Sequence, residues 1–252
     1  QDTGAEQFNG FFNLGRLTER WGIRFQGYGA KSRAETAGSL PLSVYRVNPD
    51  SNLSTGDYED LNNLQLAVSG YRRGERGQLS LYSYVRRHRA ERFNVNQDAD
   101  PDNLGRSRNL VAGGTADYRW QASERLGLRV GGEGSAASTE VTLYADSSKF
   151  SGPVTQTTFV KSPTWDLAGY ALADLTAGRA TFSAGARYDY VRIPFRNQLD
   201  HARDTTSSYS RLSPKGGITL DAGRGLTLYG SVGGAFRAPA VIELACADPA
   251  EP

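Results

Sequence analysis

Apolar and polar residues alternate with a period of two along most of this chain, and this pattern constrains the fold more than any other feature. From Thr181 to Tyr190 the even positions are apolar or aromatic, whereas most odd positions are polar. The segments 226–237 and 110–120 repeat the pattern. Successive side chains of a β-strand point to opposite faces, so the pattern predicts strands with one apolar and one polar face. No stretch shows a helical period, and we predict an all-β fold.

The alternation predicts about ten strands, many of them longer than the usual length of about five or six residues. Their predicted bounds are 6–16, 20–33, 60–73, 77–92, 107–120, 125–145, 163–176, 179–194, 208–220 and 225–237. Short connections at 18–20, 74–77, 122–124, 177–179 and 223–225 alternate with long ones at about 34–59, 93–106, 146–162 and 195–207. The long connections are rich in Pro, Asp, Asn, Ser and Thr, which favour loops.

Long antiparallel strands with tight turns at one end and long loops at the other are typical of an up-and-down outer-membrane β-barrel. Lipid offers no hydrogen-bond partners, so the backbone must be paired through the bilayer, which about ten tilted residues cross. Trp21 and Trp120 lie beside short turns, and Trp165 is predicted to begin a strand. All three are therefore expected at the membrane interfaces. The turns are expected on the periplasmic side and the loops outside the cell.

Composition excludes other classes of protein. The 29 basic and 27 acidic residues are spread along the chain, so the charge distribution gives no indication of nucleic-acid binding. The single cysteine excludes a disulfide framework and a cysteine-based zinc site. No run approaches the roughly eighteen apolar residues of a spanning helix. On the pattern alone, a soluble sandwich or β-solenoid is the alternative, with shorter strands and loops that do not alternate in length.

Three segments in the last third of the chain stand in a recognisable order. The first two resemble the Gly-x-Arg-Tyr-Asp and Ser-Pro-Arg/Lys strands of TonB-dependent outer-membrane receptors, and the third resembles the Phe-Arg-Ala-Pro…Glu-Leu segment of that family. In this sequence they are Gly185-Ala186-Arg187-Tyr188-Asp189, Ser213-Pro214-Lys215, and Phe236-Arg237-Ala238-Pro239 followed by Glu243-Leu244. In the family, the third segment closes an upward strand and opens an extracellular loop.

The resemblance implies a function and a location. Such a receptor takes up a scarce ligand, most often a ferric siderophore or another metal chelate, across the outer membrane of a Gram-negative bacterium. It contacts TonB through a plug region, uses no cofactor, and is not an enzyme. The family has a plug and a barrel of about twenty-two strands. Neither the plug nor the C-terminal aromatic strand is recognisable, so residues 1–252 are expected to be an internal part of the barrel that cannot carry out energised transport alone.

Two other functional classes stay open. Ten strands can close by pairing 6–16 with 225–237, which would make a self-contained outer-membrane barrel that acts as a passive pore or structural protein. Hydrogen bonds between those two segments would favour it, and an open sheet would favour the receptor part. A soluble secreted β protein is the third possibility. Cys246 follows the family segment, and in related receptors a second cysteine a few residues later pairs with it.

A cluster of basic residues ends one upward strand: Arg86, Arg87, His88 and Arg89, with Arg92. It can contact lipopolysaccharide phosphates, attract an anionic ligand to the mouth, or form an ordinary charged rim. Alternation would divide these side chains between the lumen and the outside. Six other charged residues are expected to point inward, as ion-pair ladders or as contacts to a plug: Arg187, Asp189, Arg129, Glu133, Asp117 and Arg119.

Three further patterns point to no specific chemistry. The string 132–137 fits a dinucleotide-binding spacing but lies inside an alternating strand, whereas such a string works only at a strand-to-helix turn. Asp98, Asp100 and Asp102 lack the glycine and the bidentate glutamate of a calcium loop. The two histidines, His88 and His201, form no catalytic spacing. We therefore expect neither a metal site nor catalysis.

Overall fold

The structure, a computed structural model, describes residues 4–38, 40–95, 101–146 and 154–239. Ten strands form a single sheet in which every neighbouring pair is antiparallel and the spatial order follows the chain order. They are β1 (Ala5–Leu17), β2 (Trp21–Glu35), β3 (Tyr58–Arg73), β4 (Gly77–Asn94), β5 (Asp102–Gln121), β6 (Leu126–Asp146), β7 (Thr155–Ala177), β8 (Ala180–Asn197), β9 (Thr205–Gly223) and β10 (Leu226–Gly233). The predicted all-β, up-and-down fold is confirmed.

The connections alternate in length as predicted. Short connections join β1 to β2, β3 to β4, β5 to β6, β7 to β8 and β9 to β10, and the four others are longer. Two of the tight turns depend on backbone that favours glycine. Gly178 has φ +63°, and Gly223, Arg224 and Gly225 have φ values of 80°, 55° and 79°. Glycine reaches such angles without a steric penalty, which allows adjacent long strands to reverse in two or three residues.

Several strands extend further from the short turns than the sequence predicted. β7 begins at Thr155 rather than at 163, and β5 begins at Asp102 rather than at 107. Trp165 therefore lies ten residues inside β7, and the prediction that it begins the strand is wrong. Hydrogen bonds to the neighbouring strands continue where polar and charged side chains predominate on both faces. The alternating signal that predicts a strand is lost there, although the ladder is not.

β10 is shorter than predicted, because it ends at Gly233 rather than at 237. Gly233 is the last residue paired with β9, opposite Lys215, and the next position of β9 is Pro214. The carbonyl of Pro214 still accepts a hydrogen bond from the N–H of Gly234 at 3.0 Å. Proline has no N–H to return, so the ladder cannot continue beyond this point. Phe236 to Pro239 follow the strand without regular structure.

Two short helical segments interrupt the long loops, where the sequence shows no helical period. Helix α1 (Leu42–Val47) lies between β2 and β3, and a single 3₁₀ turn (His201–Arg203) lies between β8 and β9. Asp200 accepts a hydrogen bond from the N–H of Ala202 at 3.1 Å and caps that turn. Six residues complete fewer than two helical turns, too few to show a period of 3.6. Among the described residues, no helix could span a membrane.

The register divides the sheet into two faces. We call the apolar face the side that carries the large exposed hydrophobic residues, and the polar face the opposite side. Exposed residues of the apolar face include Trp21, Phe25, Leu64, Leu66, Leu81, Val85, Leu110, Trp120, Val130, Trp165, Leu167 and Phe182. The buried residues Val111, Val160, Val191 and Ile193 lie on the polar face. Among residues 4–38, 40–95, 101–146 and 154–239, no layer of protein therefore covers the apolar face.

The two edges of the sheet do not meet. Within the described ranges, β1 pairs only with β2 and β10 pairs only with β9. A self-contained ten-stranded barrel would need hydrogen bonds between these two edges. The described part of the chain contains none. An open sheet with an uncovered apolar face leaves both edges as sites for further strand pairing.

Candidate functional site

A cluster of charged and hydroxyl groups crosses three strands on the polar face. Asp117 of β5 is only 9% exposed, and its two oxygens accept hydrogen bonds from three side chains. Arg129 Nε of β6 lies 2.5 Å from Asp117 Oδ2, Tyr170 of β7 donates its hydroxyl to the same oxygen at 2.8 Å, and Arg119 Nε lies 3.3 Å from Oδ1. Charge-assisted hydrogen bonds of this kind fix side chains strongly. We call these four residues the Asp117 cluster.

A glycine makes the Asp117 cluster possible. Asp117, Gly131 and Tyr170 are direct register partners on β5, β6 and β7. A side chain on Gly131 would collide with the ring of Tyr170 and would come within 2.8 Å of the carbonyl oxygen of Ala116. Because β6 has no side chain here, Tyr170 can reach across an entire strand. Gly131 therefore serves close approach on the polar face.

A second cluster lies beside the first and uses the same device. Arg187 of β8 reaches across β7 to Glu133 of β6, over the small residue Ala168, which is the register partner of Glu133. Arg187 Nε also donates to Asp189 Oδ1 at 2.7 Å. We call Glu133, Arg187 and Asp189 the Arg187 cluster.

The Arg187 cluster explains one of the sequence motifs. In Gly185-Ala186-Arg187-Tyr188-Asp189, the arginine and aspartate occupy the polar face two residues apart and bond to each other. Tyr188, between them, points to the apolar face and is 51% exposed. The motif thus supplies an ion pair to one face and an aromatic ring to the other.

All six charged residues that were predicted to point inward lie on the polar face and take part in ion pairs, which confirms the predicted ladder. Sequence reasoning missed Tyr170, although it stands at a polar-face position of β7. Only the register with Gly131 and Asp117 shows that its hydroxyl is within reach of a carboxylate. A periodicity read from one strand at a time contains no information about which residues of other strands lie opposite.

The basic cluster at the end of β4 is divided between the two faces, as alternation predicted. Arg86, His88 and Arg92 lie on the polar face. His88 Nδ1 lies 2.5 Å from Asn63 Oδ1, and Arg92 Nε donates to Asn94 Oδ1 at 3.2 Å. Arg87 and Arg89 lie on the apolar face, where both are exposed. The five residues therefore cannot act as a single binding site.

Near the ends that are remote from the short turns, the apolar face carries rows of charged residues. One row of register partners across β2 to β7 reads Lys31, Asn62, Arg89, Arg108, Glu140 and Lys161. Two residues further from the short turns, a second row reads Arg33, Asp60, Glu91 and Arg106. Sequence reasoning identified only Arg89 of these basic residues, because the others lie on different strands and meet only through the register.

The remaining predicted positions have mixed outcomes. The string 132–137 lies entirely within β6, in agreement with the strand interpretation. Asp102 is the first residue of β5 and is 2% exposed, and no group of three metal-binding side chains occurs among the described residues. Phe236, Arg237, Ala238 and Pro239 follow β10. Glu243, Leu244, Cys246, Asp98 and Asp100 lie outside the described residues.

Comparison with known proteins decides the family. Residues 2–250 match the TonB-dependent receptor-like β-barrel family, which is nearly the whole chain. The chain belongs to this family. The predicted resemblance is confirmed over a much longer stretch than the motifs in the last third of the chain. TonB-dependent receptors are transport proteins of the Gram-negative outer membrane and are not enzymes.

Solved structures of TonB-dependent receptors show the same fold. The unliganded ferric citrate transporter FecA matches with a TM-score of 0.84 and 14% identity, over 92% of this chain and 36% of that one. The ferric yersiniabactin uptake receptor FyuA from Yersinia pestis gives 0.73 and 12%, over 90% and 37%. The copper transporter OprC gives 0.72 and 14%, over 95% and 38%. A comparison with curated proteins found no match.

The present chain thus spans little more than a third of the length of these receptors. At such low identity the likeness concerns the fold alone. Within the family, the apolar face corresponds to the lipid-facing side of a barrel wall and the polar face to the lumen side. The ends with short turns correspond to the periplasmic side, and the ends with long loops to the extracellular side.

Proposed function

We propose that residues 1–252 form part of the barrel of a TonB-dependent receptor that takes up a scarce ligand, a ferric siderophore, across the outer membrane of a Gram-negative bacterium. The family match over residues 2–250 carries this proposal. Three similar proteins, a ferric citrate transporter, a ferric yersiniabactin uptake receptor and a copper transporter, support a metal chelate as the ligand class. TonB would act through a plug region of the whole receptor and not through these strands.

The polar face would serve as a rigid wall of the lumen. The Asp117 and Arg187 clusters pair opposite charges on this face and bind β5 to β8 together through side chains as well as backbone. A wall that keeps its shape is what a moving plug or a passing chelate requires. This role requires no acid–base or covalent chemistry of these residues.

The extracellular end of the polar face would attract the ligand. Arg86 and Arg92 are exposed there, with His88 between them in the same strand. Many ferric chelates carry negative charge, and a basic mouth raises the local concentration of an anion. The segment Phe236-Arg237-Ala238-Pro239, with Glu243 and Leu244 beyond it, would open an extracellular loop as in related receptors.

Uptake of radioactive iron tests the proposal. The gene is expressed from its own reading frame in a Gram-negative host that lacks its ferric receptors, and iron is supplied as ferric citrate, a catecholate or a hydroxamate. We expect energy-dependent uptake of at least one chelate, and loss of that uptake when TonB is deleted. Uptake that persists without TonB would indicate a passive pore instead. Uptake of none of the chelates would contradict the ferric siderophore assignment.

A further inference from the structure

The ladder between β7 and β8 is interrupted near its extracellular end. From the short turn, β8 pairs with β7 residue by residue up to Trp165, and the pairing resumes at Lys161. Positions 162–164 of β7 and 193–195 of β8 lie between these two stretches and are not paired with each other. At the same level β7 stays paired with β6, and β8 with β9. The interruption therefore affects one boundary of the sheet, which we call the β7–β8 seam.

Two prolines that face each other account for the interruption. Continued through the gap, the register places Pro163 opposite Pro194. Four residues further along β7, the N–H of Gln198 donates to the carbonyl of Phe159 at 2.7 Å across the seam. Hydrogen-bonded pairs recur at every second residue of an antiparallel ladder, so Pro163 and Pro194 occupy such a position. An ordinary pair there would exchange two hydrogen bonds, but proline has no N–H, and both bonds are lost.

The first pair beyond the prolines adds repulsion to the missing bonds. Lys161 of β7 and Arg196 of β8 are register partners, so two positive charges lie opposite each other. Each has a carboxylate partner on its own side of the seam. Lys161 Nζ lies 3.7 Å from Glu140 Oε2 of β6, and Arg196 Nη1 lies 3.8 Å from Asp204 Oδ2 of the β8–β9 loop. These ion pairs hold β7 to β6 and β8 to its own loop, and they do not close the seam.

The interruption lies at the edge of the apolar part of the sheet. Trp165, two residues from Pro163 toward the short turns, is 53% exposed on the apolar face. Aromatic residues of this kind are typical of the membrane interface of a barrel. Closer to the short turns, the same face carries Leu167 and Leu175, and β7 pairs with β8 at every position. The seam is thus continuous where it would cross lipid and interrupted where it would leave it.

We propose that the Pro163–Pro194 pair is a hinge at which the extracellular end of the sheet divides into two units. One unit contains the ends of β6 and β7. The other contains the ends of β8 and β9 with the loop and the 3₁₀ turn between them. The two units move apart and together, while the ladder on the side of the short turns stays intact. This movement goes beyond the proposed uptake function, and only its use in admitting a ligand to the lumen rests on that function.

Hydrogen exchange of the purified protein in detergent tests the weakness of the seam. The amides of Lys161 and Arg196 belong to the hydrogen-bonded pair beyond the prolines, and those of Trp165 and Arg192 belong to the pair on the side of the short turns. We expect the first two amides to exchange about tenfold faster than the other two, because local opening of the seam exposes them. Equal protection of all four amides would overturn the hinge.

A variant that restores the missing donors tests the cause. Pro163→Ala combined with Pro194→Ala returns both N–H groups to the ladder, and we expect exchange at Lys161 and Arg196 to slow by about tenfold. The matched control, Pro214→Ala, lies in β9 outside the seam and should leave both amides unchanged. Mobility of unboiled protein on a gel verifies that the variants are folded. Exchange as fast in the double variant as in the unmodified protein would show that the prolines are not the hinge.

Distances between spin labels test the movement itself. In a Cys246→Ser background, Thr155→Cys and Ala202→Cys place labels on the two units, whereas Leu143→Cys and Thr155→Cys place both labels on the β6–β7 unit. We expect a broader distance distribution for the first pair, which narrows when both prolines are replaced by alanine. Equal widths for the two pairs, or a first-pair width that the double variant leaves unchanged, would overturn the proposal. These measurements require neither TonB nor a ferric chelate, so they succeed or fail independently of the uptake assay.

Discussion

The two faces of the sheet place their charges differently. On the polar face, Asp117 and Asp189 are each 9% exposed, and their oxygens are satisfied by arginines of the same or neighbouring strands. On the apolar face, Arg33, Arg106 and Arg108 form ion pairs but are between 46% and 62% exposed at the side chain. The carboxylates at the centre of the polar-face clusters are thus buried, whereas the arginines of the apolar-face ion pairs are largely exposed.

This difference indicates what each face contacts. A wall that borders a water-filled lumen can satisfy its polar groups internally and become rigid, because a buried charge is costly unless it is paired. A surface that borders lipid must be apolar up to the headgroups and can then use unpaired basic residues. The same backbone ladder supports both arrangements, because adjacent residues of one strand serve opposite faces.

The largest expected effect comes from adding a side chain at Gly131, the position over which Tyr170 reaches Asp117. Gly131→Val would displace Tyr170 and separate its hydroxyl from Asp117, so we expect a loss of about 3 kcal/mol in the free energy of unfolding. Urea unfolding of protein folded in detergent measures it. Gly169→Val, on the adjacent strand and the apolar face, is the control, since the nearest atom to an added Cβ lies 4.0 Å away. A similar loss in both variants would contradict the assigned role of Gly131.

A smaller effect should distinguish the stability contributed by ion pairs on the two faces. Asp117→Asn removes the charge that holds Arg129 and Arg119 on the polar face, and we expect a loss of about 1–2 kcal/mol. The same change at Asp60, whose partner Arg33 is 52% exposed, should cost about 0.5 kcal/mol or less. Urea unfolding compares the two variants. If Asp60→Asn lowers the free energy of unfolding as much as Asp117→Asn does, the ion pairs of the two faces do not differ in their contribution to stability.

The smallest expected effect concerns the edge of the sheet. Pro214→Ala restores an N–H opposite Gly234, where the ladder between β9 and β10 ends. We expect slower hydrogen exchange at the amides of residues 234–236, with a change of about 0.5 kcal/mol or less in the free energy of unfolding. Unchanged exchange would show that something other than Pro214 ends the strand.

The sequence predicted the number, direction and faces of the strands, because a period of two depends only on local order. It did not predict where β5 and β7 begin, since polar residues predominate on both faces of those segments and the alternation is lost there. It missed α1, whose six residues are too few for a helical period. It placed the end of β10 too late, because the cause, Pro214, belongs to the neighbouring strand.

Prediction of the site was limited in the same way. Each of the six inward charges could be assigned to a face from its own strand. The partners could not be assigned, because the reach of Tyr170 over Gly131 and of Arg187 over Ala168 depends on the register of three strands. The charged rows of the apolar face were missed for the same reason, since Lys31, Arg89 and Arg108 lie on different strands and meet only through the register.

The central claim is that the two faces meet different solvents, and adjacent cysteines on β3 test it most directly. In a Cys246→Ser background, Leu66→Cys places a thiol on the apolar face, and Gln65→Cys places one on the polar face. With the protein in lipid bilayers, labelling is compared between a water-soluble and a lipid-soluble thiol reagent. We expect Leu66→Cys to react mainly with the lipid-soluble reagent and Gln65→Cys mainly with the water-soluble one. Equal reaction of both positions with the water-soluble reagent would contradict the claim that the two faces meet different solvents.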